Sequence, residues 1–489
     1  DYENSLETLG HVIPGFEKRR ELVRSLVTKE GKKEKAVAII EDDLLEEVTS
    51  LIEYPVALTG NFDSSFLVVP SEALILAMKS HQKCFYLVDK AGELIPKFIT
   101  VSNIVSKDPA QVIEGNERVI RPRLADARFF FDTDRLQTLA SRLDLLKKLI
   151  FQEKLGSVYE KSRRVSVVAK SIANELGANI AYIEKAAKLS KCDLLTNMVG
   201  EFSDLQGVVG SYYASHDGEP EEVCAALREQ YLPRFSGDKL PETMTGSILA
   251  IADKLDTMVG LFGIGQPPTG SKDPFALRRS AIGILRILIG KNLDLNILET
   301  IKEVVLAHEE IDLLDNTVDQ VFGFLLERFR SWYLEEGISS EVFQSVFAVR
   351  PQRPLDFHKR IQAVDGFSKL PESANLAAAN KRVSNLLSKQ NKGFAVHNCD
   401  KGLLHKTSEE MLYRAIQNKT GEVAPYYKSG DYANALRSLS SLKDVVDEFF
   451  DTVLVMDEDE DLRRNRLCLL QELRDLFLQT ADISFLDSN

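Results

Sequence analysis

Four arginines lie close together between positions 114 and 131, in the most unusual stretch of this 489-residue chain. They are Arg118, Arg121, Arg123 and Arg128, and three consecutive phenylalanines, Phe129 to Phe131, follow them. A guanidinium group suits phosphate because its planar fork donates two parallel hydrogen bonds. The stretch therefore indicates a phosphate-binding surface. A solvated helix start that the phenylalanines anchor in the core explains the same residues, and composition alone favours this simpler interpretation.

A second basic segment runs from Lys272 into a predicted helix that carries Arg279 and Arg286 two turns apart on one face. Asp273 is the expected N-cap and Pro274 the expected first helical residue. The unpaired N–H groups of such a helix start, next to Lys272, predict a phosphate site. A helix–helix salt-bridge seam explains these arginines equally well.

Two aspartates on separate apolar helices, Asp193 and Asp253, resemble the remains of a metal site. A hard-cation or phosphohydrolase site needs several converging His and Asp ligands. Histidine is scarce here, since His216 is the only one between positions 81 and 308. A buried aspartate that caps a helix, or pairs with Lys191 or Lys254, accounts for the same residues. The sequence therefore predicts no metal.

The C-terminal hundred residues combine apolar helical stripes with basic flanks. Lys381 and Arg382 lie in one such helix, and Arg463 and Arg474 share a flank of the last one. Sequence-specific RNA recognition targets unstacked loop bases, and an anticodon loop is such a target. These four residues are the candidate contacts, although by pattern alone the region is an amphipathic bundle.

Nucleotide-binding signatures are missing from the sequence. It has no GxxxxGK[ST] and no GxGxxG, and Gly263-Ile-Gly265 lies outside any strand–helix context. The HIGH and KMSKS motifs are absent too, and no glycine-rich strand ends in Glu-Arg. We expect that this chain by itself does not activate an amino acid.

Composition places the chain in the globular class, with 44% hydrophobic and 28% charged residues and no apolar run long enough to span a membrane. Five scattered cysteines without a CxxC pair argue against a zinc ribbon or a disulfide framework. Net charge is −13, yet residues 117–164 hold twelve Lys/Arg against seven Asp/Glu, so basic groups are clustered. Because the chain opens on Asp1 without an initiator Met, we expect a processed or excised piece.

The elements that must position these residues change in type along the chain. Strands are predicted at 56–59 and 66–69, and a hairpin at 84–88 and 97–102 around a turn at 89–93. From about Leu136 onward helical periodicity dominates, with a buried helix through residues 248–262. A break is predicted at 350–354. The predicted class is multidomain and mainly α, with an N-terminal α+β portion.

These segments resemble the β subunit of the bacterial-type, two-subunit glycyl-tRNA synthetase. The matching stretches span nearly the whole chain in order: Pro55–Thr59, Lys107–Pro109, Gly115–Ala127, Leu189–Leu194, Gly200–Phe202, Tyr231–Arg234, Ile251–Asp256, Thr269–Arg279, Ala379–Asn385 and Ala481–Ser484. The family's β chain normally has more sequence before the region where Asp1 starts.

The resemblance implies a division of labour. A catalytic α part of class II, separate or fused, would use ATP and Mg²⁺, while this chain would bind no cofactor and would bind tRNA-Gly, in an α2β2-type assembly. It implies an α+β body portion (1–145), an HD-like helical domain (146–295), a helical linker region (296–375) and an anticodon-binding helical bundle (376–489). The His-Asp doublet of the HD pattern falls on Cys192-Asp193 and its distal aspartate on Asp253, so a ligand histidine is missing.

Three functions are compatible with the sequence. The leading one is the tRNA-binding part of glycine–tRNA ligase, in a bacterial cytoplasm or an organelle. The second is an HD-domain metal phosphohydrolase with an RNA-binding tail, and the third is a non-catalytic scaffold. Metal analysis separates the first from the second, and tRNA binding separates the first from the third.

Overall fold

The computed structural model describes residues 2–388 and 399–487, except for the side chain of His81. They form two compact units: Asp1–Arg163 with Glu184–Gln230, and Arg164–Ile183 with Tyr231–Asn489. We call these the first and the second unit. Residues 184–230 group with the N-terminal part, so these units do not follow the predicted boundaries after residues 145, 295 and 375. The four-domain division stays a prediction.

The first unit contains a four-stranded antiparallel sheet in the order Val37–Ala38, Phe85–Val88, Leu94–Ser102, Val56–Asn61. The predicted strand at 56–59 and the predicted hairpin are confirmed. The hairpin turns tightly because Asp89 Oδ1 accepts hydrogen bonds from the N–H groups of Ala91 and Glu93, at 2.8 and 3.0 Å. One sheet face packs on helices Phe16–Lys33 and Asp42–Leu51 through a small apolar core.

The strand predicted at 66–69 is wrong. Ser64–Val68 is a 3-10 helix, which Asp63 starts by accepting the N–H of Ser65 at 2.8 Å. A local side-chain hydrogen bond of this kind competes with strand pairing. The helical region also contains an unpredicted small hairpin, formed by Ile150–Gln152 and Gly156–Ser157.

The rest of both units is mainly helical. Other α-helices of the first unit are Tyr2–Thr8, Ser71–Leu76, Pro109–Asp134, Asn197–Glu201, Val208–His216 and Glu221–Glu229. Helices Val158–Leu176 and Ile180–Leu189 each contain a unit boundary. The α-helices that lie within the second unit are Met244–Gly263, Leu277–Gly290, Ile297–Ala307, Thr317–Glu335, Ser340–Phe347, Pro354–Ser368, Ser373–Ser388, Thr407–Ser429, Tyr432–Ser440, Lys443–Thr452 and Glu460–Leu478.

One apolar core in the second unit extends from Leu285 to Ile483 and includes the fully buried rings of Phe329, Phe357 and Phe477. The C-terminal bundle therefore shares its core with the helices that precede it. The buried helix predicted through 248–262 is confirmed as Met244–Gly263. The break predicted at 350–354 is confirmed, since a new helix begins at Pro354.

The chain is thus mostly helical with a small N-terminal sheet. Within the described ranges, no helix is both long and apolar enough to cross a membrane.

Candidate nucleic-acid interface

The arginine-rich stretch belongs to one 26-residue helix, Pro109–Asp134. Asp108 accepts the N–H of Ala110 at 3.2 Å and Pro109 is the first helical residue, so the helix begins nine residues before Arg118. The predicted helix start at the arginines is therefore wrong. The buried residues Ile120, Leu124, Ala127 and Phe131 fall on one stripe. At 100° per residue, Arg118 lies opposite this stripe, and Arg121 and Arg123 lie on opposite flanks.

The guanidinium groups on this helix differ in their partners. Arg118 lies 3.0 Å from Glu114 in an exposed pair, which holds it weakly. Arg128 donates to Ser65 Oγ at 3.2 Å and so ties the helix to the 3-10 segment. Arg121 and Arg123 are exposed and make no hydrogen bond or ion pair within residues 2–388 and 399–487. These two are therefore the most available for an external anion.

The phenylalanine triplet anchors the helix through one ring only. Phe131 is buried, stacks on Tyr213 at 5.6 Å between centroids, and has the Arg135 guanidinium 4.9 Å from its own centroid. Phe129 is 65% exposed and Phe130 is half-buried. The expectation that all three rings lie in the core is wrong.

Asp134, at the C-terminal end of the same helix, is a buried acceptor that the sequence did not single out. Its Oδ1 accepts the backbone and side-chain N–H groups of Asn197, both at 2.9 Å. Its Oδ2 accepts the N–H of Met198 at 3.0 Å and the hydroxyl of Tyr213 at 3.1 Å. Arg142 donates to its carbonyl oxygen at 2.7 Å. Asp134 thus fixes the arginine-rich helix to the segments that follow it in the first unit.

Asp193 is a helix cap in the first unit. Its Oδ2 accepts the N–H of Gly207, at the start of helix Val208–His216, at 2.5 Å. A Cβ on Gly210 would lie 3.0 Å from the same oxygen, so the small residue there allows the close approach. Burial raises the pKa of Asp193 from 3.8 to about 6, against the hydrogen bonds from Gly207 and Gly210, which lower it. A capped, hard-to-ionise carboxyl is a poor metal ligand.

The pKa of Asp193 gives the folded chain a measurable pH dependence. The folded form binds the proton of Asp193 more tightly than the unfolded form does. The contribution of Asp193 to the free energy of unfolding therefore falls as pH rises from about 4 to 6 and is level above that. Asp193→Asn keeps an acceptor for Gly207 but cannot titrate. We expect the wild type to lose roughly 2–3 kcal/mol relative to this variant between pH 4 and 7.

Urea unfolding of both proteins across this pH range measures the difference. Asp204→Asn, which changes an exposed carboxylate in the same segment, is the matched control and should retain the wild-type profile. Parallel profiles for wild type and Asp193→Asn would contradict the assignment.

The other two proposed metal-site positions, Cys192 and Asp253, lie in largely buried segments. Cys192 is buried, and burial raises the pKa of its thiol to about 12. In the second unit Asp256 is fully buried, whereas Asp253 is only partly buried. Arg164 Nε lies 2.7 Å from Asp256 Oδ1, and His308 Nε2 lies 3.6 Å from it. In the described parts of the chain, no three His, Cys, Asp or Glu side chains are placed to hold a metal ion.

At the second basic segment the helix start is capped by the protein itself, so its N–H groups are not unpaired as expected, and the phosphate contacts of this segment stay a prediction. The helix begins at Leu277 rather than Pro274, and Asp273 accepts the N–H groups of Leu277 and Arg278 at 2.8 and 3.0 Å. Its carboxylate occupies the place a phosphate would take. Lys272 is exposed nearby.

Arg279 and Arg286 do lie on one helix face, but they do not form a salt-bridge seam. Their guanidinium groups donate to the carbonyl oxygens of Arg234 and Asp238, at 3.3 and 2.7 Å. Arg286 is half-buried by this contact, whereas Arg279 is exposed. The predicted face therefore binds a neighbouring turn, and only Arg279 also faces solvent.

The four candidate residues of the C-terminal bundle differ in their surroundings. Lys381 and Arg382 line a groove of about 360 Å³ with Ala378, Asn385, Leu386 and Asp487. Lys381 Nζ donates to the carbonyl oxygen of Asp487 at 2.9 Å, and the Arg382 guanidinium lies 4.5 Å from the centroid of the Phe450 ring. Both cations border an open groove that can admit a base.

Arg463 and Arg474 have intramolecular partners, as does Lys381, whose Nζ also lies 3.4 Å from Asp487 Oδ2. Arg463 donates to the carbonyl of Asp457 and to Glu460, both at 3.1 Å. Arg474 donates to Asp482 at 2.6 Å and is largely covered. These contacts position the ends of helix Glu460–Leu478.

A buried ion pair within the bundle was also missed by the sequence. Arg466 Nε lies 2.5 Å from Glu409 Oε1, and Nη1 donates to Asp457 Oδ2 at 2.6 Å. Glu409 Oε2 in turn accepts the N–H groups of His405 and Lys406, at 2.7 and 2.9 Å. A signal was present, because Arg466 interrupts the apolar stripe of the last helix.

Comparison with known proteins gives two family matches. Residues 1–348 match the model described as glycyl-tRNA synthetase beta subunit, and residues 376–483 match the DALR anticodon binding domain. Three relatives are each a glycine–tRNA ligase beta subunit. That of Marinobacter nauticus is 51% identical over 99% of this chain, that of Hahella chejuensis 50% over 100%, and that of Psychromonas ingrahamii 52% over 99%. In each case the chain covers 70% of the relative's length.

Proposed function

We propose, from the premise that this chain belongs to the glycyl-tRNA synthetase β-subunit family, that it binds tRNA-Gly and presents it to a catalytic α partner. As a member of this family the chain is part of an aminoacyl-tRNA ligase, and it carries a DALR anticodon-binding domain at residues 376–483. The observation that carries the proposal is the order of the two matches, a β-subunit region followed by an anticodon-binding domain.

The chemistry is assigned to the partner because the sequence lacks the glycine-rich and class-specific motifs that cradle a nucleotide. The α part, of class II, would bind ATP, Mg²⁺ and glycine, and an α2β2-type assembly would bring its active site to the tRNA held here. A bacterial cytoplasm or an organelle interior stays the predicted location.

The isolated chain is expected to form no glycyl-adenylate and to glycylate no tRNA. Glycine-dependent pyrophosphate exchange and aminoacylation of tRNA-Gly are measured for the chain alone, for a cognate α part alone, and for both together. Only the mixture should glycylate tRNA-Gly efficiently, and the chain alone should still bind it. Exchange catalysed by the chain alone, or no effect of the chain on glycylation, would overturn the proposal.

We assign the tRNA backbone contacts to Arg118, Arg121 and Arg123 in the first unit and to Lys272 and Arg279 in the second. These side chains are exposed. Arg118 pairs with an exposed glutamate, Glu114, and Arg279 donates to a backbone carbonyl. Lys381 and Arg382 are assigned to the anticodon, because they border the groove in the bundle. Arg286, Arg463 and Arg474 are assigned a structural role because each is partly covered and its guanidinium is bound to the protein itself. Arg279 and Lys381 also have acceptors within the protein, but Arg279 is exposed and Lys381 lines the groove.

Replacing Arg118, Arg121 and Arg123 together by glutamine should weaken the binding of all tRNAs to the same extent. Phosphate contacts carry no sequence information, and removing one such arginine lowers the salt slope of binding by roughly one unit, so the slope should fall by about three. Binding of tRNA-Gly and of one non-cognate tRNA across a salt series measures this. Arg24→Gln, which changes an arginine paired with Asp42 at 2.8 Å, is the control and should leave the slope unchanged. A selective loss of tRNA-Gly would refute the backbone assignment.

We also propose that residues 146–295 keep an HD-like helical arrangement that no longer binds metal. The support is the capping role of Asp193 and the buried, protonated thiol of Cys192. Elemental analysis of the purified chain tests this, since tightly held stoichiometric Mn, Fe or Zn would contradict it.

A further inference from the structure

Two turns of the second unit are fixed beside the same helix, Leu277–Gly290. Positions 279, 283 and 286 of this helix share one face. That face binds the turn at 233–238: a Cβ on Gly283 would lie 3.4 Å from Pro233 Cγ, and the two flanking arginines donate to turn carbonyls. The second turn, 269–276, leads directly into the helix. The first turn is therefore held against the helix by packing and hydrogen bonds, and the second is continuous with the helix start.

Each turn presents a phenylalanine to solvent. Phe235 is 59% exposed and Phe275 is 38% exposed. Neither ring is among the buried residues of the core. A single exposed ring is ordinary on a protein surface. Two exposed rings on turns beside the same helix are a more specific feature.

The surroundings of these rings are cationic. Residues 231–239 and 267–279 contain Arg234, Lys239, Lys272, Arg278 and Arg279 against only Asp238 and Asp273. Asp238 accepts the backbone N–H groups of Arg234 and Lys239, and Asp273 accepts those of Leu277 and Arg278 in the first turn of the helix. Five cations against two acids leave these two segments with a formal excess of three positive charges.

The cations are also arranged for an external anion. The side chains of Arg234, Lys239 and Lys272 make no hydrogen bond or ion pair with any described part of the chain. Arg278 donates to the carbonyl oxygen of Gly270 at 2.8 Å, a neutral acceptor that leaves its charge in place. Such contacts hold the loop while preserving the positive field around it.

Exposed aromatic rings among cations match the chemistry of unpaired nucleotides. Bases stack on aromatic side chains irrespective of their identity, while Lys and Arg hold the phosphates on either side. A regular duplex does not fit, because its bases are already stacked and paired and its A-form grooves do not admit such rings. An unpaired segment of the tRNA meets both requirements.

We propose that Phe235 and Phe275 stack on unpaired nucleotides of the bound tRNA, and that Arg234 and Lys272 hold the adjoining phosphates. This inference rests on the proposed function, since it names a further contact with the same RNA. Stacking is sequence-tolerant, so the surface contributes affinity and not discrimination among tRNAs.

The test uses the full chain with its catalytic partner. Phe235→Ala and Phe275→Ala should each weaken tRNA-Gly binding about tenfold, and a non-cognate tRNA equally. Phe275→Leu keeps an apolar side chain without the ring, and it should lose as much tRNA affinity as Phe275→Ala. Arg234→Gln should lower the salt slope by about one unit. Phe16→Ala changes a ring of similar exposure (37%) in the first unit and is the matched control.

Two tRNA-Gly probes locate the stack. One carries 2-aminopurine at its unpaired 3′ end, and the other lacks the unpaired 3′ nucleotides. Stacking on the 3′ end is supported by two results together. The 2-aminopurine fluorescence is quenched by the wild type and recovers in Phe235→Ala, and that variant does not weaken binding of the truncated tRNA any further. An unchanged tenfold effect on the truncated tRNA supports stacking on loop nucleotides.

Other outcomes overturn the inference. If both alanine variants bind tRNA with wild-type affinity, the stacking proposal is wrong. The proposed function still holds in that case if the wild type binds tRNA. Dissociation of the catalytic partner with intact tRNA binding makes the surface a protein-docking face. No tRNA binding by the wild-type chain, with or without the partner, would instead remove the proposed function itself.

Discussion

Replacing Arg466 by methionine is expected to lower the free energy of unfolding by roughly 3–5 kcal/mol. The guanidinium is almost fully buried against Glu409, whose side chain has no solvent exposure. Methionine fills much of the volume but leaves the carboxylate charge uncompensated. Because Glu409 also caps helix Thr407–Ser429, the start of that helix should loosen and tRNA-Gly discrimination should fall with it. Denaturant unfolding can be followed by the single tryptophan, Trp332, which packs against the same core.

Arg414→Met is the matched control for this experiment. Arg414 pairs with Glu410 at 3.2 Å on the same helix, but both side chains are largely exposed, so the change should cost at most ~0.5 kcal/mol. The double variant Glu409→Gln/Arg466→Met should recover part of the loss, because it removes the unpaired charge. Equal costs for Arg466→Met and Arg414→Met would show that the buried pair does not stabilise the bundle.

Replacing Asp134 by alanine is the second large effect, expected in the first unit at roughly 3–5 kcal/mol. The substitution leaves four donors, on Asn197, Met198 and Tyr213, without their acceptor. The donors of Met198 and Tyr213 are buried, whereas Asn197 is exposed and can bind water. Each unsatisfied buried group costs about 1–3 kcal/mol, and partial relaxation reduces the sum. Since Asp134 fixes the end of the arginine-rich helix, tRNA affinity should fall as well. Thermal unfolding and tRNA binding are measured on the same preparation.

Asp132→Ala tests whether burial is the cause. Asp132 lies two residues earlier on the same helix, but it is exposed and its one ion pair, with Arg128, is long at 3.6 Å, so its loss should be nearly neutral. Asp134→Asn should fall between the two, because its oxygen keeps some of the hydrogen bonds. If Asp134→Ala is as mild as Asp132→Ala, Asp134 does not organise the end of this helix.

Local patterns predicted several elements correctly. The hairpin around Asp89 follows from a turn residue that accepts its own backbone N–H groups, and the buried helix Met244–Gly263 follows from apolar periodicity. The strand predicted at 66–69 was wrong because strand preference depends on a pairing partner, and Asp63 offers the backbone a closer one. The helix predicted to begin at Pro274 begins at Leu277, since Asp273 caps it from four residues away.

The sequence by itself determined the family, through long stretches matched in order, and the lack of nucleotide-binding motifs. Only the tertiary structure decided which cations are available to RNA. Arg286 binds a carbonyl 48 residues away and Arg466 a carboxylate 57 residues away, whereas Arg121 and Arg123 have no such partner among the described residues. Phe235 and Phe275 became candidates only as exposed rings on basic turns. The physical reason is that a charged or aromatic side chain is assigned by what packs beside it, and periodicity along the chain does not contain that information.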